Sequence, residues 1–195
     1  IRLSLVGSEM CIRDRSYSGR IDFDDRLAPV LVYACSSIGM KFTGTSLKAV
    51  IANHRSCWTN ELGYFIDGEQ KRFTLSSDEE KKTYTLAEGL SEGTHELLLF
   101  KRMDSCHTFT FYGFEIDDGA EVLPLPEKPK RKMEFFGDSV SCGEVSEAVA
   151  YVGKPDPEHD GEYSNSWYSY AWMTARKLNA QIHDTSQGGL SLIHI

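Results

Sequence analysis

Residues 64–75, YFIDGEQKRFTL, carry the clearest fold signal in the chain. Two runs that alternate between apolar and polar residues flank the dipeptide Asp67-Gly68. This dipeptide suits a two-residue turn in which both residues have positive φ, and the alternation places one face of each run against a core. The stretch therefore predicts a β-hairpin.

The alternation continues on both sides of the hairpin. It is clearest in two runs: Ile38, Gly39, Met40, Lys41, Phe42 and Thr43, then Thr108, Phe109, Thr110, Phe111 and Tyr112. Residues 97–100 are apolar on both faces, which is typical of a central strand in a two-layer sandwich. Because no convincing helical spacing interrupts residues 20–116, we predict an all-β sandwich of the jelly-roll kind over residues 16–122.

A segment rich in proline and lysine follows this region. Residues 123–132, LPLPEKPKRK, hold three prolines and four Lys or Arg residues. This composition suits an exposed, semi-rigid linker, neither strand nor helix. No aromatic residue is interleaved with the basic ones, which argues against a nucleic-acid patch.

The pattern changes class after the linker. Residues 133–136 form a short apolar run, residues 166–178 have helical spacing, and residues 180–186 suit a second strand. A helix between two strands is typical of a β-α-β unit. We therefore predict the truncated start of a parallel α/β domain over residues 133–189, shorter than a complete domain.

The helix in this unit has its own signals. Asn165 or Ser164 suits the N-cap, because either side chain can accept a bond from the first free N–H groups. One face of the helix collects the residues expected in the core: Trp167, Ala171, Thr174 and Leu178. The aromatic cluster Trp167, Tyr168, Tyr170 and Trp172 could stack on sugars, but core packing is the commoner role on an amphipathic helix.

The tripeptide Gly137-Asp138-Ser139 lies directly after the first strand of the predicted α/β unit. Alone it is typical of an ordinary turn. Its position favours a nucleophile at Ser139, since active sites of parallel sheets lie beyond the carboxyl ends of the strands. Gly137 permits an unusual backbone conformation, and a helix start offers N–H groups to an oxyanion. The Gly-x-Ser-x-Gly elbow of α/β-hydrolases is absent.

Five segments carry a family resemblance: FTGTSLKAVI (42–51), FIDG (65–68), LAEGLSEGTHELLLFKR (86–102), FYGFEID (111–117) and EFFGDSVSCGE (134–144). The last resembles the first block of the SGNH, or GDSL-like, hydrolases. Together, in this order, the five are similar to carbohydrate esterase family 2, in which a β-sandwich precedes the SGNH domain. The resemblance implies a flavodoxin-like second domain and a serine esterase that deacetylates carbohydrates such as acetyl-xylan or other sugar esters, without a cofactor or metal.

The resemblance also implies roles for particular residues. Ser139 would be the nucleophile and its N–H an oxyanion donor, with Gly137 and Asp138 supporting the turn. SQGG (186–189) loosely matches the second block, so that either Gly188 or Gly189 would be a second donor. The oxyanion Asn and the catalytic His would follow residue 189. A serine hydroxyl is a weak nucleophile without a base, so the chain as written should be inactive.

Two other functions remain open from the residues. One is a non-catalytic carbohydrate-binding sandwich, and the other is an interaction module without a ligand. The six histidines do not decide between them, because none lies in a pattern typical of a general base beside Ser139. An Asp-x-x-His motif near the end of the complete protein would favour the enzyme.

Composition excludes several other classes. The chain has 29 acidic and 21 basic side chains, a net charge of −8, which disfavours nucleic acid as a partner. No stretch approaches the length of an apolar membrane span. The cysteines lack a C-x-x-C spacing and the acidic loop 156–162 lacks EF-hand spacing, so neither predicts a metal site. Oligomeric state and compartment, secreted or cytoplasmic in a bacterium, stay open.

The two ends of the chain look foreign to the fold. Residues 5–15, LVGSEMCIRDR, and residues 190–195, LSLIHI, match translations of a transposase-type sequencing adapter in its two orientations. We therefore expect residues 1–15 and 190–195 to be adapter-derived and exclude them from the fold predictions.

Overall fold

The computed structural model describes residues 15–158 and 160–190. Most of the predicted adapter segments, residues 1–14 and 191–195, lie outside the described residues. The strands of the described part are β1 (Ser16–Ser18), β2 (Ile21–Asp22), β3 (Val30–Leu31), β4 (Ser37–Thr43), β5 (Leu47–Arg55), β6 (Glu61–Ile66), β7 (Glu69–Thr74), β8 (Lys82–Ala87), β9 (Thr94–Lys101), β10 (His107–Ile116), β11 (Val122–Leu123), β12 (Arg131–Phe135) and β13 (Ala180–Asp184). The helices are α1 (Ser139–Cys142) and α2 (Tyr170–Lys177), with 3-10 turns at Val149–Tyr151 and Ser166–Tyr168.

Strands β1 to β11 form two antiparallel sheets. One has the order β1-β4-β9-β6-β7, with β11 also paired to β4, and the other has the order β2-β3-β10-β5-β8. Their facing sides share one apolar core, which includes Ile38, Met40, Phe42, Ile51, Phe109 and Phe111. Period-two side-chain direction explains this for β4 and for the first half of β10, before a bulge between Phe111 and Gly113 shifts the alternation. We call residues 16–123 the sandwich.

The local predictions for the sandwich are confirmed. Strands β6 and β7 form the predicted hairpin, with Asp67 at φ 52° and Gly68 at φ 86°. Strand β9 lies between β4 and β6, as its doubly apolar sequence predicted. No helix is found within residues 16–123 of the described chain.

The linker is shorter than the sequence predicted. Leu123 pairs with Lys41 at the end of β11, and residues 131 and 132 already belong to β12. The segment between these strands is also held at two points. The Lys128 amine donates to the carbonyl of Tyr17, and the Gln181 side chain donates to the carbonyl of Pro129 over 2.7 Å.

Residues 131–190, the second region, hold a parallel pair of strands joined through a helix. β12 pairs with β13 in parallel, from Arg131 opposite Ala180 to Phe135 opposite Asp184. This order of elements agrees with the predicted β-α-β unit. Both strands therefore end at the same edge of the pair.

The predicted helix over residues 166–178 is wrong in its bounds and partly wrong in its buried face. A 3-10 turn capped by Asn165, one of the two predicted caps, is followed by a break at Ser169, which has an extended conformation and caps α2. The break separates Trp167 from the helix. Within α2, Ala171 is buried as predicted together with Trp172 and Ala175, whereas Thr174 is half-buried and Leu178, the C-cap residue, is exposed.

A second apolar cluster joins the two regions. It contains Ala34, Cys35 and Phe100 of the sandwich with Cys142, Ala171, Trp172, Ala175 and Ile182 of the second region. The Phe100 ring lies 5.4 Å from the Trp172 ring and 5.8 Å from the Trp167 ring. Gly63 makes room for it, because a Cβ at Gly63 would overlap the Phe100 ring.

Among the described helices, none has the length and apolar character of a membrane span.

Candidate active site

Ser139 lies at the carboxyl edge of the parallel strands. It is the first residue of α1, four residues after β12 ends, and Asp138 caps this helix by accepting from the Val140 N–H over 3.1 Å. The serine is half-buried. Its hydroxyl has no hydrogen-bond partner among the described residues. Because Asp138 makes the helix cap, the Ser139 side chain is not needed for it.

Gly137 supports this turn by its lack of a side chain. The sequence predicted an unusual backbone conformation there, but its φ lies outside the left-handed region. A Cβ at Gly137 would overlap Ser141 Oγ and lie 2.8 Å from Ser141 Cβ. The glycine is therefore required by close packing against α1, which corrects the sequence-based reason.

The turn that follows β13 lies beside the turn of Ser139. The Thr185 N–H donates to the carbonyl of Phe135 over 2.9 Å, and the Gln187 N–H donates to the carbonyl of Gly137 over 3.2 Å. The structure thus brings together the two short sequences that were predicted to form one site, Gly137-Asp138-Ser139 and residues 186–189.

The two candidate glycines have different surroundings. The Gly188 N–H donates to Asp104 Oδ2 over 2.9 Å, and a Cβ at Gly188 would overlap Glu144 Oε1. Gly189 has φ 74°, is exposed, and has open space around the position of a Cβ. Within the described residues the Gly189 N–H has no acceptor, so of the two glycines it is the one with a donor to offer.

Sequence reasoning missed Asp104, which lies in the sandwich loop between β9 and β10. Its side chain is buried and also accepts from the Cys106 N–H over 3.1 Å and from His107 Nδ1 over 3.5 Å. Burial alone would raise the pKa of this carboxyl. The His107 ring, the Lys101 charge and the N–H groups of Gly188 and Cys106 outweigh burial and hold the pKa at about 2.

Lys101 holds the backbone of the same loop through its side-chain amine. Its amine is fully buried and donates to the carbonyls of Met103, over 2.6 Å, and of Asp104. Burial lowers the pKa of Lys101 to about 8, against the opposing charge of Asp104. No sequence signal indicated this lysine, because its position at the end of an apolar strand is equally typical of an exposed residue.

The histidines lie elsewhere. His54 bonds to Thr110, His95 to Asp67, His107 to Asp104, and His183 is exposed on β13, while His159 and His194 lie outside the described residues. None of those in the described chain contacts Ser139. Nor do three or more His, Cys, Asp or Glu side chains cluster anywhere in the described chain in a way that could hold a metal ion.

The aromatic cluster divides into two pairs. Trp172 is buried, and half-buried Trp167 has the Arg176 guanidinium over its ring, 3.6 Å from the centroid, and the tilted Phe65 ring 4.5 Å away. Tyr168 and Tyr170 are about half exposed. Core packing therefore describes the two tryptophans and not the two tyrosines.

Comparison with known proteins identifies the family. The family model described as carbohydrate esterase 2 N-terminal matches residues 17–126. The chain is 32% identical over 177 residues to a cellulase/esterase, CelE, of Acetivibrio thermocellus, and 27% identical over 165 residues to an acetylxylan esterase / glucomannan deacetylase of Cellvibrio japonicus. The two alignments include 90% and 81% of this chain.

A solved structure agrees with this result. The fold is similar to that of a family two carbohydrate esterase from Clostridium thermocellum in complex with cellohexaose, with a TM-score of 0.81, 30% identity and 91% of this chain covered. The chain spans 52% of that structure's length, and 21% and 44% of the two curated relatives. Since the family model covers more than half of the sequence, the chain belongs to carbohydrate esterase family 2.

Proposed function

We propose that this chain is part of a serine esterase that removes acetyl groups from carbohydrates, with Ser139 as the nucleophile. One observation carries the proposal: the Ser139 hydroxyl bonds to no other group of the described chain and lies beside the Gly-containing turn at the shared carboxyl edge of β12 and β13. Membership of an esterase family supports it, as do the names of the two curated relatives.

The proposed reaction is acyl transfer in two steps. Ser139 Oγ attacks the acetyl carbonyl while its proton passes to a general base, and the carbonyl oxygen becomes an oxyanion that the Ser139 N–H and a glycine N–H of residues 186–189 stabilise. Collapse of the intermediate breaks the bond to the sugar oxygen, which takes the proton from the base and leaves as a hydroxyl. Water then attacks the acyl-enzyme, releasing acetate and restoring the serine.

The domain assignment is part of the proposal. Residues 16–122 would form the jelly-roll domain and residues 133–189 the first part of a flavodoxin-like SGNH domain. The general base and the oxyanion Asn would come from a part of the complete protein that this chain does not contain. The chain covers only 44% and 52% of two longer relatives. On this assignment the 195-residue chain has no esterase activity by itself, because no described histidine contacts Ser139.

The test uses the complete protein and compares two serines. Ser139→Ala should lower kcat for an aryl acetate, and acetate release from acetylated xylan, by roughly a thousandfold or more. Ser141→Ala is the matched control, since that hydroxyl lies two residues further on, is buried and bonds to the Tyr170 hydroxyl over 2.8 Å. The control should keep nearly all of the activity. Near wild-type turnover in Ser139→Ala, or an equal loss in both variants, would refute the proposal.

A second candidate function is carbohydrate binding without catalysis. An open groove of about 560 Å³ lies against the outer face of the first sheet and is lined by Phe65, Leu98, Leu125 and Trp167 among others. Its weakness is that the Arg176 guanidinium already lies over the Trp167 ring, which leaves less of that ring for a sugar. Calorimetric titration with a xylo- or cello-oligosaccharide separates the two functions: binding that Phe65→Ala abolishes, in a complete protein without esterase activity, would favour this one.

A further inference from the structure

The turn at residues 186–189 is held from the sandwich by three successive residues. Asp104 Oδ2 accepts from the Gly188 N–H over 2.9 Å, the Ser105 hydroxyl donates to Gln187 Oε1 over 3.1 Å, and the Gln187 amide lies 3.7 Å from Cys106 Sγ. All three come from the loop between β9 and β10, more than 80 residues earlier in the chain. A turn with two adjacent glycines has large conformational freedom, so these contacts restrict a segment that would otherwise be loosely defined.

Asp104 is itself held in one orientation. Its Oδ1 accepts from the Cys106 N–H and faces the His107 ring, which leaves Oδ2 directed at Gly188. The buried Lys101 amine fixes the backbone of the same loop through the Met103 and Asp104 carbonyls. The carboxylate is thus a rigid acceptor, because packing and several bonds determine its position.

The electrostatic surroundings of Gly188 are unsuitable for an oxyanion. The Gly188 N–H is occupied by one carboxylate, Asp104, and a Cβ at this position would overlap the carboxylate oxygen of a second, Glu144. A developing negative charge there would be repelled by both. Gly189 is exposed and, within the described chain, its N–H bonds to no other group.

We propose that Asp104 is a positioning residue for the esterase reaction: by holding the Gly188 N–H it orients the turn and leaves the Gly189 N–H as the second oxyanion donor. This inference rests on the proposed function of Ser139. It gives the sandwich a part in catalysis, since a loop of the sandwich would set the geometry of the oxyanion site in the second region. Asp104 does not touch the reacting atoms, and its effect passes through the Gly188 peptide.

The kinetic test uses the complete protein with two isosteric variants. Asp104→Asn should lower kcat for an aryl acetate by about 10- to 100-fold with KM nearly unchanged, because a displaced donor weakens binding of the transition state and not of the substrate. Inactivation of Ser139 by an aryl phosphonate should slow by a similar factor, since its tetrahedral oxygen needs the same donors. Asp117→Asn is the matched control.

The control removes an equivalent carboxylate far from the site. Asp117 lies just after the other end of β10, accepts from the N–H and hydroxyl groups of Thr45 and Ser46, and like Asp104 has its pKa held at about 2, chiefly by the Ser46 hydroxyl. Its loss should lower stability and leave kcat near the wild-type value. If both variants lose the same fraction of kcat, Asp104 is only structural and the inference fails.

Two further results keep the test decisive. Gly188→Ala places a Cβ against Glu144 Oε1 and 2.8 Å from Asp104 Oδ2 without neutralising a buried charge. A folded variant whose amide at position 188 has lost its protection from hydrogen exchange but whose kcat is that of the wild type would overturn the inference, even if Asp104→Asn is unstable. Amide hydrogen exchange should show Gly188 protected and its neighbour Gly189 unprotected in the wild type, and equal rates would also overturn it.

The outcomes also separate this inference from the proposed function. If Asp104→Asn raises kcat, the freed Gly188 N–H is the true donor and the inference is wrong while the role of Ser139 stands. If the wild-type protein and Ser139→Ala have the same activity, the proposed function itself fails. Loss of kcat in Asp104→Asn alone, in an enzyme that depends on Ser139, is the supporting result.

Discussion

The sandwich and the second region differ in what completes their cores. The apolar core between the two sheets is made of sandwich residues, running from Leu31 to Phe114 with partly buried neighbours such as Tyr17 and Val122. The buried cluster of the second region instead includes Ala34, Cys35 and Phe100 of the sandwich. A parallel pair of strands with one short helix buries little by itself, so the outer face of the sandwich forms part of its core.

The same contrast holds for charged side chains. Within the sandwich, the half-buried Asp117 accepts from Thr45 and Ser46, which also belong to the sandwich. Across the boundary, Arg102 is buried and donates to Glu147 over 2.7 Å, and Asp104 accepts from Gly188. The difference teaches that the second region depends on the sandwich for polar contacts as well as for apolar ones. The following predictions test that dependence.

The largest expected effect comes from Phe100, whose ring is fully buried between the two regions. Phe100→Ala should cost about 3–5 kcal/mol, as large-to-small changes of buried aromatic residues do. The loss should fall on the second region, while the core between the sheets stays intact. Limited trypsin digestion should then cut after Lys130 or Lys132, since Pro129 blocks cleavage after Lys128, and leave a sandwich-sized fragment.

The control for this prediction is Phe111→Ala. Phe111 is also fully buried, but it lies between the two sheets. Its loss should cost a similar free energy and unfold the sandwich together with the second region, leaving no stable fragment. Identical digestion patterns for the two variants would show that the regions unfold as one unit.

A smaller effect is expected at Gly137. Gly137→Ala should destabilise the second region by about 1–3 kcal/mol, because the new Cβ overlaps Ser141 Oγ and forces α1 to shift. Urea unfolding, monitored by fluorescence of Trp167 and Trp172, measures the change. Adding Ser141→Gly should restore part of the lost stability, since it removes the overlapping atoms. A double variant no more stable than Gly137→Ala would mean that the glycine is needed for another reason.

The smallest effect is a pH dependence confined to the sandwich. His95 is buried and both ring nitrogens face acceptors, Asp67 Oδ2 at 2.7 Å and the Ser91 carbonyl at 2.9 Å, so only the protonated ring can donate to both. The bond to Asp67 raises the pKa of His95, against burial. A raised folded-state pKa gives stability that is present below about pH 6.5 and is lost as the pH rises through that folded-state pKa.

Asp67 sets the lower end of the pH range in which this pair stabilises the sandwich. Burial opposes the shift, but the bonds from His95 and from the Glu96 N–H lower the pKa of Asp67, so its contribution is lost only as the pH falls through that lowered value. Between pH 6 and pH 7.5, below the lowered pKa of Lys101 at about 8, the free energy of unfolding should therefore decrease by no more than about 1 kcal/mol, because Asp67 is about half exposed. His95→Gln should remove this slope and His54→Gln should keep it. An unchanged slope in His95→Gln would contradict the assignment.

Much of the sandwich could be predicted because its signals are local. Alternation over a few residues located β4 and β10, and the dipeptide Asp67-Gly68 located the hairpin, since side-chain period and turn geometry act within one element. The helix of the second region was predicted as too long and with only part of its buried face, because the extended Ser169 separates Trp167 from α2 and because the helix ends before Leu178. Where a helix breaks and ends depends on caps and contacts that a spacing pattern does not show.

By itself, the sequence determined the strands of the sandwich, the family and the position of Ser139 after a strand, which are all set by neighbouring residues. Only the tertiary structure decided that Gly188 is bonded to Asp104, that Lys101 and Arg102 are buried, and that Phe100 serves both regions. The physical reason is distance along the chain: Asp104 and Gly188 are 84 residues apart, so no local pattern of charge or hydrophobicity could indicate that folding brings them within hydrogen-bond distance.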